Sequence, residues 1–372
     1  MTGLVAGFIA LGALQAATVP MDSARGDRLF ESQGCVQCHK LREQGATVVP
    51  NGGPDLGRVL DRAYTPSLLA GTMWNHAPAM WTAIKAESVK VGDIDQQAAA
   101  DLFASFYSAR YFEMPGDAGR GKKLFASKSC ETCHGLTTSP NPSAKPVNQW
   151  QGLSDPIALV GAMWNHSPVM WSELSQRKIS WPNMTSQDLS DLLVYLRNVS
   201  PSRGGQPMFR ITAGESGERL FVSKGCATCH NAQRPAASKL TLTGVAASMW
   251  NHASLLRAEP PRPEPPRIDA DEMREVLSEY WARQFFENSG NAARGKRSFA
   301  AKHCVECHTG AGPGPVLPAR AGTYNGMNMV SALWRHGPTM LEQMNRKHIP
   351  WPVFKAGEMA DLIAWLNLGA KK

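Results

Sequence analysis

The 372-residue chain is expected to be all-α and built as four tandem domains, and three observations lead there. A Cys-x-x-Cys-His pentad occurs four times and uses all eight cysteines: Cys35 to His39, Cys130 to His134, Cys226 to His230 and Cys304 to His308. A glycine stands nine residues before each first cysteine, at Gly26, Gly121, Gly217 and Gly295, and a phenylalanine five before it, at Phe30, Phe125, Phe221 and Phe299. Each repeat then closes on an apolar stretch with three- and four-residue spacing, clearest in Asp188 to Leu196 and Glu358 to Leu368.

The pentad is the attachment pattern of c-type haem. Its two thiols form thioethers with the porphyrin vinyls while the adjacent histidine reaches the iron. The expected cofactors are therefore four covalently bound haem c groups. Cys35, Cys38, Cys130, Cys133, Cys226, Cys229, Cys304 and Cys307 attach them, and His39, His134, His230 and His308 are the proximal ligands. A zinc reading would need a fourth ligand at every Cys2His set, and a bare redox dithiol leaves the histidine unexplained. Disulfides would close tight, strained rings with no other thiol to pair. Four pentads leave about 90 residues each, too few for a large side-chain core, so haem should fill the interior of each domain.

Ahead of each pentad, mixed charged and small residues around the phenylalanine predict a short amphipathic helix running into the attachment turn. The expected domains are 22–113, 114–207, 208–288 and 289–372, with turns or short linkers near Met114-Pro115-Gly116, Pro201 to Pro207 and Asn288 to Asn291. Residues 1–21 read as a signal peptide or membrane anchor, because the run from Leu4 to Ala17 is apolar apart from Gln15 but shorter than a full span. Repeats one and three share aromatic-rich ends, Phe106-Tyr107 with Tyr111-Phe112 and Tyr280-Trp281 with Phe285-Phe286. Repeats two and four share Trp181-Pro182 and Trp351-Pro352. That alternation points to a duplicated two-haem unit. Glu259 to Pro266 is proline-rich and should cross the surface as an extended strap.

A low-spin electron-transfer iron needs a second axial ligand. The source is a block that follows each pentad: Met73-Trp74-Asn75-His76-Ala77-Pro78-Ala79-Met80, its copy from Met163 to Met170, Met249 to Leu256, and Leu333 to Met340. Histidine is present in every copy, at His76, His166, His252 and His336. The methionine four residues on is present as Met80, Met170 and Met340 but becomes Leu256 in repeat three, where Met249 would be the methionine candidate. A packing methionine is exchanged for leucine at little cost whereas a ligand is not, which favours histidine and leaves methionine as the alternative. The recurring Trp74, Trp164, Trp250 and Trp334 should pack against porphyrin or core. His303 and His348 occur once each and are expected in ordinary structural positions.

Gly-x-x-x-Phe before the pentad and Ala-Asp-Leu-Ile-Ala-Trp-Leu at 360–366 resemble the class I cytochrome c domain, over residues 22 to 372 and most closely in repeats two and four. The resemblance implies that fold and haem attachment. In that family the distal ligand is usually a methionine in the loop before the last helix; here tryptophan, at Trp181 and Trp351, stands near that place, so the ligand should come from the earlier block. The expected function is single-electron carriage between redox protein partners of a respiratory or photosynthetic chain, in the periplasm or otherwise outside the cytoplasm, soluble or tethered by the N-terminal segment. The alternative is a haem enzyme with one open iron, repeat three being the candidate. No acid–base pair or nucleophile triad competes. The net charge of +8 is largely offset by the propionates that four haems would add, and no nucleic-acid motif is present.

Overall fold

The computed structural model describes residues 19–41, 52–57, 64–110, 116–150, 152–199, 208–212, 216–230, 241–258, 266–286, 290–317 and 324–368. The apolar N-terminal run, the linkers at 114–115 and 201–207, and most of the proline strap lie outside them.

The described chain is mostly helical, and one order of elements recurs four times. Repeat one carries α1 (Ser23–Ser32), α2 (Pro66–Ala86) and α3 (Gln96–Ala109). Repeat two carries α4 (Ala118–Ser127), α5 (Pro156–Gln176) and α6 (Ser186–Val199). Repeat three carries α7 (Gly217–Ser223), α8 (Leu242–Ala258) and α9 (Ala270–Phe286). Repeat four carries α10 (Ala292–Ala301), the single turn α11 (Val305–His308), α12 (Gly326–Arg346) and α13 (Glu358–Leu368). Side-chain oxygens of Asp22, Asp117 and Asn291 cap the backbone amides at the start of α1, α4 and α10. The long helices begin on Thr65-Pro66, Asp155-Pro156 and an Asn325/Asn328 capping box.

The repeated glycine is explained by how the first helix crosses the closing one. A Cβ at Gly26, Gly121 or Gly295 would collide with the backbone carbonyl of Asp101, Asp191 or Asp361. The same aspartates lock the crossing. Asp191 takes both Nε and Nη2 of Arg120, at 2.7 and 2.9 Å, and the Asp117 amide at 2.7 Å. Asp101 with Arg25 and the Asp22 amide, and Asp361 with Arg294 and the Asn291 amide, repeat the arrangement. Repeat three substitutes a bond from the Ser216 amide to Glu275. Phe30, Phe125 and Phe299 are buried one turn further along.

The repeats then pack reciprocally. Repeat one lies against repeat four through α2 and α12, and repeat two lies against repeat three through α5 and α8. The asparagine before the long-helix histidine clamps a backbone segment of the facing repeat. Asn75 donates to the Phe354 carbonyl at 2.8 Å and accepts its amide at 2.7 Å, and Asn251 does the same with Met184 at 2.8 and 2.9 Å. Asn165 holds Ile268 in the same two-bonded way, and at the fourth position Arg335 instead pairs with Asp93. A two-stranded antiparallel ribbon, β1 (Met21–Asp22) with β2 (Arg210–Ile211), joins the leading residues of repeats one and three, with Phe209 buried on Tyr107. The contacts that repeats one and two offer are thus answered by repeats four and three.

Two outcomes follow. Gly121→Ala should cost about 2–4 kcal/mol, because backbone and not a mobile side chain blocks the methyl, and thermal unfolding of the holoprotein reads it. Burial pushes the Asp191 carboxyl up, but the Arg120 hydrogen bonds and the Asp117 amide hold it below the usual range. A depressed carboxyl stabilises above its unfolded value of about 4 and loses that as pH falls through the folded one. Asp191→Asn should therefore lower Tm at pH 7, and the gap to wild type should shrink under acid.

Candidate haem sites

Each pentad begins at a left-handed residue. Gly34, Ser129, Gly225 and His303 have φ of 73°, 61°, 77° and 61° and turn the chain out of the first helix. A tight turn follows in which the histidine amide bonds back to the first cysteine's carbonyl, at 2.9, 2.9, 3.0 and 3.0 Å in chain order. Both thiols and the imidazole are thereby grouped on one short segment. Burial pushes the thiols of Cys35, Cys130 and Cys304 up to about 11, and raises Cys226 as well. A dithiol working by exchange needs the opposite shift, so the redox-dithiol reading loses its chemistry.

The pentad imidazoles are oriented by backbone. Nδ1 of His39, His134 and His308 donates to the carbonyls of Pro54, Lys145 and Pro315 at 3.0, 3.0 and 2.9 Å. A carbonyl can only accept, so Nδ1 carries a proton and Nε2 is left as the nitrogen through which the imidazole would bind a metal. Gly53 and Gly314 lie so close to the rings of His39 and His308 that any Cβ there would strike them.

The long-helix histidines face these rings. Ring centroids are 5.8 Å apart for His134 and His166, 5.7 Å for His230 and His252, and 6.1 Å for His308 and His336. His76 lies within electrostatic reach of His39 and donates Nδ1–H to the Thr72 carbonyl at 2.6 Å. Desolvation lowers His76, His166 and His336 from the ordinary imidazole value, which keeps them neutral at pH 7. Two imidazoles that share one metal at metal–nitrogen distances of about 2.0–2.1 Å stand with centroids about 6 Å apart. The residues present therefore fit an iron between each pair.

In repeat two the pair opens on a cavity of about 660 Å³, lined by Cys130, Cys133, Phe125 and Leu193 on one side and by Met170 and Trp250 on the other. That volume is within the range of about 300–1,000 Å³ that takes a cofactor-sized ligand. Met170 reaches the same cavity one helical turn past His166, so both distal candidates named from sequence are brought to it. Leu256, which replaces the methionine in repeat three, packs on the core while His252 keeps its place opposite His230.

Three features escaped sequence reasoning. The first is the asparagine clamp, whose signal was Asn75, Asn165 and Asn251 recurring directly before the histidine. The second is the aspartate lock, signalled by an acidic residue inside an apolar helix. The third is a proline effect: Pro78 has no N–H to give the Trp74 carbonyl, and the Trp351 indole fills the vacancy at 2.8 Å. Ser254 replaces that proline in repeat three, and the equivalent Trp181 indole N–H has no partner among the described residues.

His303 and His348 both occupy left-handed positions, with φ of 61° and 53°, and His303 bonds to Glu306 at 2.7 Å. His and Asn tolerate that conformation better than most residues. The double variant His303→Asn, His348→Asn should therefore retain the wild-type haem content and visible spectrum.

Residues 118–200 match the family model for cytochrome c. No curated protein and no solved structure matches the chain. The stretch containing the Cys130–His134 pentad, α4, α5 and α6 is thus similar to a cytochrome c domain, a type of domain that carries covalently bound haem c.

Proposed function

We propose that the whole chain is a tetrahaem c-type cytochrome that carries single electrons between redox protein partners of a respiratory or photosynthetic chain. The observation that carries this reading is the fourfold meeting of a pentad histidine with a long-helix histidine, three of the pairs at 5.7–6.1 Å. Cys35/Cys38, Cys130/Cys133, Cys226/Cys229 and Cys304/Cys307 would attach the porphyrins. His39, His134, His230 and His308 would hold the irons from one side, and His76, His166, His252 and His336 from the other. Haem supplies one-electron ferric/ferrous chemistry.

The residues around it keep each site in one geometry. Backbone carbonyls fix the tautomer and plane of the pentad imidazoles, and buried Phe125, Leu189, Leu192 and Leu193 give the repeat-two cavity an apolar wall. Two imidazoles per iron would leave no position for an external ligand, so the enzyme alternative has less support: His252, in the repeat named as its candidate, stands opposite His230. Attachment of haem to thiols and the N-terminal apolar run support a place outside the cytoplasm, with the chain soluble or tethered. No helix among the described residues is long and apolar enough to cross a membrane.

Near-infrared magnetic circular dichroism of the ferric holoprotein tests the ligand set. The expected spectrum contains only bis-histidine low-spin iron. A His/Met band in three sites would transfer the distal role to Met80, Met170 and Met340. A high-spin fraction that binds carbon monoxide would favour the enzyme.

A further inference from the structure

The packing of the repeats bears on the route of the electrons, and this inference rests on the tetrahaem reading. Repeat two faces repeat three through tryptophan. Trp250, two residues before His252, lies in the wall of the cavity that contains Cys130, His134 and His166. Its ring is 4.5 Å from that of Trp181, and its indole donates to the Pro182 carbonyl at 2.8 Å. One side chain of repeat three thus belongs to two sites at once: it borders the repeat-two cavity and shares a helix turn with the repeat-three histidine. The Asn251–Met184 clamp holds that contact in place.

Repeats one and four are joined in the same way. Trp351 stacks on Trp74, two residues before His76, at 5.7 Å, and meets the edge of Trp81 at 5.5 Å. Trp81 in turn lies so tightly on Gly337, the neighbour of His336, that a Cβ there would enter its ring. Trp74, Trp351 and Trp81 therefore run from the histidine of repeat one to the histidine of repeat four. Repeats one and two, and repeats three and four, lack such a bridge: among the described residues no helix of repeat one packs extensively on repeat two, nor any of repeat three on repeat four.

We infer that electrons are exchanged within two couples, repeat one with repeat four and repeat two with repeat three, across these tryptophans, in preference to exchange between repeats one and two or between three and four. In each exchange the ferrous iron of one site is oxidised as the ferric iron of the facing site is reduced, with no proton or atom transferred. Trp250, Trp181, Trp74, Trp81 and Trp351 form the path through which the two sites of a couple communicate.

Pulsed dipolar EPR of the fully oxidised holoprotein tests the couples, with His166→Met and His252→Met each shifting the signal of one site. The expected result is that the two shortest iron–iron distances join two with three and one with four. Either ligand variant should then displace the two–three modulation and leave the one–four modulation unchanged. A shortest distance between repeats one and two, or three and four, would overturn the inference. A spin integral of fewer than four haem irons per chain would instead overturn the tetrahaem reading, so the two failures are distinct. Trp250→Leu supplies a second arm that needs no ligand change. Flash reduction should show a severalfold loss in the rate of exchange within the two–three couple at unchanged dipolar distances, and an unchanged rate would remove the tryptophan from the route.

Discussion

The fold depends on one close approach, the crossing of the first and last helices of a repeat at a glycine that lies directly on an aspartate's carbonyl. Backbone meets backbone there, and nothing larger than hydrogen fits between. The same aspartate then draws in an arginine fork and the amide at the head of the first helix, so the crossing is fixed in angle as well as in distance. Because only one left-handed residue and the helix C-cap separate the first helix from the pentad turn, fixing that crossing fixes where the two thiols and the imidazole lie. The long helix packs across the opening and supplies the facing histidine. Local steric demand at Gly26, Gly121 and Gly295 is in this sense what positions the chemistry.

A second constraint operates between repeats. Small helical units of this size cannot bury enough apolar surface by themselves, and the chain answers by making each long helix serve two neighbours. Its histidine points into its own repeat, while the asparagine before it and the tryptophan before that reach into the facing one. Buried tryptophans then carry polar indole groups into the interface, where they need carbonyl partners. Trp250 uses Pro182, Trp164 uses Pro266, Trp334 uses Gly92, and Trp351 uses the Trp74 carbonyl that Pro78 leaves free.

How much of this could be read from the sequence depended on the range of each interaction. The pentads, the helix ahead of them and the closing helices are local patterns, and all were legible in the spacing of Cys, His, Gly and Phe. The choice between His166 and Met170 was not, because both lie on one face of one helix and only the facing imidazole of His134 separates their roles. The facing of repeats one and four, and of two and three, was hidden for a different reason. Asn75, Asn165 and Asn251 recognise backbone atoms of Phe354, Ile268 and Met184, and a backbone amide leaves no mark on residue identity. Arg335 opposite Asp93 is the one position where that contact is written in charges.

The proposed route and ligand set stand only if four haems are bound through the paired cysteines. The intact mass of the protein under denaturing conditions decides this. It should exceed the polypeptide mass by four haems, with no cysteine left to alkylate. Free thiols on a folded, colourless chain would contradict it.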